Sequence, residues 1–204
     1  MRQKSVSDGS SRLFDLIAPI YGRTFRYQYK NYLEIYQRQP VKEILTDCHS
    51  ILDIGCGTGS MASALRDSGY QITGVDASLG MLRQAKYLIS PDATSCVFSD
   101  VNSGLPFIAK GFDVCLASYV AHGLRPPQRL ALYAEMRRLA GKLVIIHDYN
   151  DKRSLITNIV EWGEGGDYFN FIKVVQNELS DFFGNLQVIQ VEPRAALYIC
   201  RIPN

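Results

Sequence analysis

The stretch that decides the fold is Ile51-Leu52-Asp53-Ile54-Gly55-Cys56-Gly57-Thr58-Gly59. An apolar run, typical of a buried strand, leads directly into a turn with glycine at every second position. Glycine allows left-handed backbone conformations and the close approach of a ligand. In open α/β sheets, ligands bind beyond the carboxyl ends of the strands. The stretch therefore predicts a strand, a ligand-binding turn over residues 55–59 and a following helix.

Outward from this turn, apolar strand patterns alternate with helical patterns. Strand–helix–strand order predicts a parallel sheet with helices on both faces. Ser78 is the expected N-cap of one helix, and Gly141 the expected C-cap of another. Strands are expected at residues 50–54, 71–75, 96–99, 112–117 and 142–148, and helices at 59–68, 78–89 and 127–140.

Both ends of the chain depart from this alternation. At the N-terminus, helices are expected at residues 11–18, at 24–38 and from Pro40, with the first ending before Pro19 because proline disfavours helix in the preceding residue. At the C-terminus, Asp167 is the expected cap of a helix over residues 168–183. Two apolar runs follow, at residues 186–191 and 195–201, and their short link predicts an antiparallel hairpin.

The charge and spacing around the turn indicate the class of ligand. Asp53 suits a cationic ammonium or sulfonium group and suits a pyrophosphate badly. The amides of the following helix can receive a carboxylate. In the dinucleotide fingerprint the third glycine follows the second by three residues, whereas Gly59 follows Gly57 by two and Ser60 takes the fingerprint position. This spacing counts against a nicotinamide-dependent oxidoreductase.

A second acid, Asp76, ends the next predicted strand. Its separation from the turn is about that at which an acid accepts both ribose hydroxyls in nucleotide-binding folds, and a carboxylate offers two acceptor oxygens to such a diol. The alternative is an acid that only complements a helix N-terminus. That alternative does not account for the glycine turn and the acid together.

Residues 51–59 (ILDIGCGTG) and 74–82 (GVDASLGML) resemble the first two motifs of the class I S-adenosylmethionine-dependent methyltransferases. The resemblance implies a Rossmann-like fold, S-adenosylmethionine as cofactor and methyl transfer as the reaction. It implies that Asp100 accepts from the adenine amino group while Val101 offers a backbone amide. The residues expected to hold the cofactor are Asp53, Gly55, Cys56, Gly57, Gly59, Asp76, Ala77, Met81, Asp100, Val101, Ser118 and Tyr119.

The expected fold is therefore α/β and doubly wound, with a mostly parallel, seven-stranded sheet that ends in a C-terminal antiparallel strand. One domain is expected over residues 1–204. It comprises an N-terminal helical lid (1–48), a cofactor-binding core (49–150) and an acceptor-side helix with the final hairpin (151–204). Residues 14–21 (FDLIAPIY) are similar to the lid that some of these enzymes fold over the cofactor.

Residues 112–124 (FDVCLASYVAHGL) resemble the fourth-strand segment of the small-molecule branch of this family. That branch often carries two adjacent histidines here, and this chain has His122 followed by Gly123. His122, Tyr21 and Asp148 are the candidate catalytic residues, and His147 is a further candidate base. A base is needed only when the acceptor arrives protonated. Alternation along the strand predicts that only one of His147 and Asp148 faces the pocket.

A small-molecule acceptor is expected beneath the N-terminal helices and residues 161–169 (EWGEGGDYF), whose glycines and aromatics suit a lid. Enzymes of this superfamily that methylate base amines usually carry an Asn- or Asp-Pro-Pro-aromatic motif where this chain has Ala117-Ser118-Tyr119. Nucleic acid is therefore disfavoured as the acceptor. An RNA or protein methyltransferase, and a module that binds S-adenosylmethionine without turnover, remain as alternatives.

Composition fits a cytoplasmic protein without a membrane span. The 204 residues carry a formal net charge of +2, and basic residues are concentrated before residue 43. The cysteine count, five, is odd and lacks metal-ligand spacing, so no metal is expected. Three of these cysteines, Cys96, Cys115 and Cys200, lie in apolar runs, where a thiol is expected to behave as a small buried hydrophobe.

Overall fold

The computed structural model describes residues 8–89, 95–101, 104–152 and 167–203, and side chains from residue 14 onward. The helices are α1 (Asp8–Gln37), α2 (Val41–Ile44), α3 (Ser60–Asp67), α4 (Leu79–Leu88), α5 (Pro126–Leu139) and α6 (Tyr168–Phe183). The strands are β1 (Ser50–Ile54), β2 (Gln71–Asp76), β3 (Ser95–Phe98), β4 (Phe112–Ser118), β5 (Ala140–Tyr149), β6 (Gln187–Glu192) and β7 (Ala195–Arg201).

The strands form a seven-stranded sheet in the order β3-β2-β1-β4-β5-β7-β6. The pairs β2–β3, β1–β4 and β4–β5 are parallel. By contrast, β7 runs antiparallel to both β5 and β6. The expected α/β class, with a mostly parallel sheet and an antiparallel C-terminal end, is confirmed. Within the described part of the chain, no helix combines the length and the hydrophobicity that a membrane span requires.

The chain divides into two compact units, residues 1–49 with 55–100 and residues 50–54 with 101–204. In the first unit, α1 packs along α3 and α4. The Ser60 hydroxyl donates to Gln28 Oε1 at 3.0 Å, and the Tyr29 hydroxyl donates to Asp67 Oδ2 at 2.8 Å. Polar contacts thus bind the N-terminal helix to the helix that follows the glycine turn.

In the second unit, the centre of the core lies on β4, β5 and β7, whose central residues are buried. Arg129 of α5 is also fully buried. Its guanidinium makes two hydrogen bonds to the Glu178 carboxylate, at 2.7 and 2.8 Å, and one of 2.7 Å to Asp167. A buried charge requires such pairing, and these contacts tie α5 to α6.

The prediction of a helix break at Pro19 is wrong, because α1 continues through that residue. A proline inside a helix removes one backbone hydrogen bond, here the one to the Asp15 carbonyl. The cost is offset by tertiary contacts of the same turn: Ala18 is buried, and the Asp15 carboxylate accepts hydrogen bonds from α4 and its cap. Packing therefore overrides the local preference.

Two predicted helix caps also differ from the structure. Ala140 is the C-cap of α5, and Gly141 lies inside β5 because the strand begins immediately after the helix. Asp167 is the N-cap residue of α6, yet its side chain makes no capping hydrogen bond. Its carboxylate instead accepts from Arg129, since neutralising a buried guanidinium outweighs a surface cap. Ser78 does cap α4, accepting from the Met81 amide.

The expectation that Cys96 is a buried hydrophobe is wrong. Cys96 lies on the edge strand β3 and is exposed, whereas Cys115 and Cys200 are buried as expected. An apolar run does not distinguish a central strand from an edge strand, and in β3 Val97 is half-buried while the other three residues are exposed.

Candidate functional site

The glycine turn adopts the left-handed backbone conformations that the sequence predicts. Gly57 has a φ of 55° and Gly59 a φ of 81°. A Cβ atom at Gly59 would lie 2.0 Å from Cδ1 of Ile89, so a side chain here would displace Ile89 and would also be strained at this φ. A Cβ atom at Gly57 would meet nothing within 4 Å. The turn is therefore packed on one side and open at Gly57.

Asp76, at the end of β2, holds this turn in place. Its Oδ2 accepts from the Gly57 amide at 2.8 Å and its Oδ1 accepts from the Ser78 amide at 2.7 Å. Burial raises the pKa of the Asp76 carboxyl, while these amides act in the opposite direction. Because each carboxylate oxygen can accept more than one hydrogen bond, both oxygens can also receive ligand hydroxyls.

Asp15 of α1 contacts the residues that follow β2, and this contact was not predicted from the sequence. Its Oδ1 accepts from the Ser78 hydroxyl and from the Gly80 amide, each at 2.7 Å. The Ser78 hydrogen bond, followed by that of Gly80, lowers the pKa of the Asp15 carboxyl. The partners are more than 60 residues apart, so no local pattern could reveal the pair. The glycine turn with Asp76, Ser78 and Asp15 is called the loop cluster below.

The remaining predicted cofactor residues of the first unit lie near this cluster in the chain. Ala77 is half-buried between Asp76 and the cap of α4, and Met81 is buried in the first turn of α4. Asp100, just beyond β3, is half-buried, as is Val101, which belongs to the second unit.

In the second unit, the residues predicted to bind the cofactor are Asp53 and two residues at the end of β4, Ser118 and Tyr119. Asp53 is fully buried in β1, opposite Leu116 of β4. Ser118 ends β4 opposite His147. Tyr119 follows with a φ of 53°, a left-handed conformation that is strained in a non-glycine residue. Its amide donates to the His147 carbonyl at 2.8 Å.

His122 and Asp148 form a buried pair that joins two of the candidate catalytic residues. His122 Nδ1 lies 2.8 Å from Asp148 Oδ1, and the His122 amide donates to Asp148 Oδ2 at 3.2 Å. A carboxylate beside Nδ1 favours the tautomer that carries its proton on that nitrogen, which leaves Nε2 as the acceptor nitrogen. A carboxylate that orients an imidazole in this way is the arrangement of a general base.

Aromatic rings surround the imidazole of His122, which is only 7% exposed. The nearest is Tyr149, with 4.8 Å between ring centroids. Tyr119, Tyr168 and Phe171 follow at 6.4 to 6.5 Å. These rings limit the access of water to the imidazole. His122 and Asp148 with these four aromatics are called the dyad cluster below.

The other candidate bases differ from His122 in surroundings. His147 is fully buried, and burial lowers its pKa to about 4, so its imidazole is a weak base at neutral pH. Asp148 is also fully buried. Tyr21 lies half-buried in the first unit, on α1, with its ring 6.4 Å from that of Phe14. Of the predicted lid 161–169, residues 161–166 lie outside the described part of the chain.

Comparison with known proteins identifies the family. Residues 51–142, which include the glycine turn, Asp76 and His122, match the family described as "Methyltransferase domain". The chain is a class I S-adenosylmethionine-dependent methyltransferase. The predicted family and cofactor, S-adenosylmethionine, are thereby confirmed.

Individual relatives resemble the methyltransferase over different lengths. An uncharacterized methyltransferase of Staphylococcus carnosus is 23% identical over 87% of this chain and 86% of its own length. Glycine N-methyltransferase of Rattus norvegicus is 35% identical over 49% of this chain, but only 40% of that protein is matched. The DhpI protein, solved as a complex with SAH, has a TM-score of 0.72 at 15% identity, with both chains covered completely. The last comparison shows a shared fold.

Proposed function

We propose that this methyltransferase transfers the methyl group of S-adenosylmethionine to a small-molecule acceptor, with His122 as the general base and Asp148 as its orienting carboxylate. The observation that carries the proposal is the 2.8 Å contact between His122 Nδ1 and Asp148 Oδ1 in a buried site. A base in this setting is useful when the attacking oxygen or nitrogen of the acceptor carries a proton.

The aromatic rings of the dyad cluster support an acceptor of limited size. Tyr149 and Tyr119, both half-buried beside His122, offer ring surface that suits a planar or apolar molecule. A long polymer would have to bring its reactive group into a histidine environment that is almost closed to solvent. The rat relative, whose name specifies glycine as its acceptor, is consistent with a small acceptor.

The cofactor is proposed to bind through the acids and amides that the sequence motifs assign. Asp53 would pair with the ammonium, and amides of the glycine turn would meet the carboxylate. Asp76 would accept from the ribose hydroxyls, while Asp100 and Val101 would bind adenine. The ligand-ready geometry of the turn, open at Gly57 and braced by Asp76, supports this assignment.

The reaction then requires little covalent chemistry from the protein. The sulfonium makes the methyl group electrophilic, and alignment of the acceptor contributes up to about 7–11 kcal/mol in favourable cases. In the proposed scheme, His122 Nε2 would take the acceptor proton while the acceptor atom bonds to the methyl carbon. The bond from that carbon to sulfur would break, S-adenosylhomocysteine would leave, and Asp148 would stabilise the resulting imidazolium.

The decisive experiment compares the His122→Gln variant with the wild type. Methyl transfer from labelled S-adenosylmethionine is measured against a small-molecule library, and the best acceptor is used for kinetics. Loss of a general base lowers kcat by about 10²–10⁴-fold, and cofactor affinity measured by calorimetry stays within about twofold because the histidine is placed on the acceptor side. Asp148→Asn should show the same pattern, since its amide can stabilise the wrong tautomer.

His49→Gln, at an exposed histidine, is the matched control and should keep full activity. Wild-type kinetics in His122→Gln would contradict the role of the base. Methyl transfer to RNA or protein, with none to small molecules, would overturn the choice of acceptor. Cofactor binding without transfer to any class of acceptor would instead favour a non-catalytic binding module.

A further inference from the structure

We propose that Cys56 and Cys96 form a redox-active thiol pair, which a peroxide converts into an intramolecular disulfide beneath the glycine turn. The two residues are 40 positions apart in sequence, and both belong to the first unit.

Gly74 brings the two sulfur atoms together. It lies inside β2, directly opposite Cys96 of β3 in the strand register. On the other side, the Cys56 amide donates to the carbonyl of the adjacent residue, Val75, at 3.0 Å. A Cβ atom at Gly74 would lie 2.8 Å from Cys56 Sγ and 3.5 Å from Cys96 Sγ. The two sulfurs therefore share the space that a side chain at position 74 would fill.

This arrangement also gives a reason for glycine in the middle of a strand. Glycine weakens a strand interior and usually marks a close approach of other atoms. Here the approaching atoms are two thiol sulfurs, both on the face of β2 toward which a Gly74 side chain would point.

The two thiols differ in a way that suits stepwise oxidation. Cys96 is exposed and Cys56 is buried, so a peroxide reaches Cys96 first. A hydrogen bond from Cys56 lowers the pKa of the Cys96 thiol, against partial burial and the charge of Asp76. Since thiolates are the reactive form, Cys96 is the attacking residue and Cys56 the resolving one.

The chemistry balances with one peroxide per pair. The Cys96 thiolate attacks one peroxide oxygen, the O–O bond breaks, and a sulfenic acid forms with release of hydroxide. The Cys56 sulfur then attacks the Cys96 sulfur and displaces the hydroxyl group as water. In total the two thiols lose two electrons and two protons, and hydrogen peroxide is reduced to two molecules of water.

Disulfide formation would act on the glycine turn, because Cys56 lies between Gly55 and Gly57. Drawing the Cys56 side chain toward β3 would displace the amide of Gly57, which is fixed by Asp76. If the turn binds S-adenosylmethionine, a consequence that rests on the proposed function, the oxidised protein binds the cofactor more weakly. One misplaced hydrogen bond to a charged ligand group reduces affinity by about tenfold or more.

The test is peptide mapping of the full chain by mass spectrometry after treatment with equimolar hydrogen peroxide and alkylation of the remaining thiols. The expected product is a peptide pair that joins Cys56 to Cys96, lacks two hydrogens and separates on reduction. Cys96→Ser should abolish it, and Cys48→Ala, at the remaining cysteine of this unit, should keep it. Over-oxidised Cys96 without a cross-link, or pairing with another cysteine, would overturn the proposal.

Calorimetry with S-adenosylhomocysteine separates the disulfide from the cofactor assignment. Peroxide should lower the affinity of the wild type and leave that of Cys96→Ser unchanged. Reduced protein without affinity would refute the proposed cofactor site, and the peptide map would still decide on the disulfide. A mapped disulfide with unchanged affinity would refute only the effect on the turn.

Discussion

The loop cluster and the dyad cluster are assembled by different means. In the loop cluster, five consecutive residues with three glycines create the turn, and one acid at the next strand end braces it. In the dyad cluster, the decisive contact joins residues 26 positions apart, one in a short 3₁₀ turn and one on β5. The glycine turn itself is a property of a contiguous motif, whereas the His122–Asp148 contact, like that of Asp15 with Ser78 and Gly80, arises only from tertiary structure.

The largest expected loss of stability comes from a substitution in the glycine turn. Gly59→Ala places a side chain where φ is 81° and where Cδ1 of Ile89 occupies its position. Backbone strain and overpacking together should lower the free energy of unfolding by about 4 kcal/mol, measured by urea denaturation.

Two further glycines provide matched controls for that measurement. Gly57→Ala meets open space at a φ of 55°, so it should show the strain alone, about 1–2 kcal/mol. Gly123→Ala, beside His122 in the dyad cluster, meets open space without a positive φ and should be close to neutral. Equal losses in the free energy of unfolding for all three variants would show that the glycine turn depends no more on its glycines than the dyad cluster does.

A somewhat smaller effect concerns the pH dependence of stability that arises from His147, which precedes Asp148 on β5. Folded His147 has a pKa of about 4 because it is buried, whereas an unfolded histidine titrates near 6.5. Between these values the unfolded state binds an additional proton, so stability decreases as pH falls from about 6.5 to 4, by about 3 kcal/mol in total.

Denaturation of the wild type and of His147→Gln at a series of pH values measures this difference. The variant should lack that part of the slope, whatever its absolute stability. Parallel curves for the two proteins would show that His147 is not held neutral by burial.

The smallest expected change in stability concerns Asp15, the member of the loop cluster that is remote in sequence from the others. Asp15→Asn removes a charge from the N-terminus of α4 and weakens two hydrogen bonds. The expected loss is about 1 kcal/mol at neutral pH. Because the pKa of Asp15 is lowered in the folded protein, the contribution is present above the ordinary carboxyl pKa and vanishes as pH falls through the folded value.

Asp181→Asn, an exposed acid on α6, is the control and should change stability by only a few tenths of a kcal/mol. No difference between Asp15→Asn and this control would show that α1 is held by other contacts.

The same contrast explains how much could be predicted from sequence. Strand positions, the glycine turn and the Ser78 cap follow from local patterns, and the structure has them. The continuity of α1 through Pro19, the exposure of Cys96 and the use of Asp167 by Arg129 depend on neighbours that are remote in sequence. His122 and Asp148 were each recognisable as candidates, but their contact was not, because strand alternation says nothing about which distant residue approaches.

The buried Arg129 has a consequence for the surroundings of His122. Its two acidic partners, Asp167 and Glu178, are eleven residues apart in sequence, about three turns of helix, and so face the same direction on α6. If α6 rotated about its axis, the buried guanidinium of Arg129 would lose both of its counter-ions. The ion pairs therefore fix the rotation of α6 about its own axis. That rotation also determines the positions of Tyr168 and Phe171, whose rings lie beside that of His122.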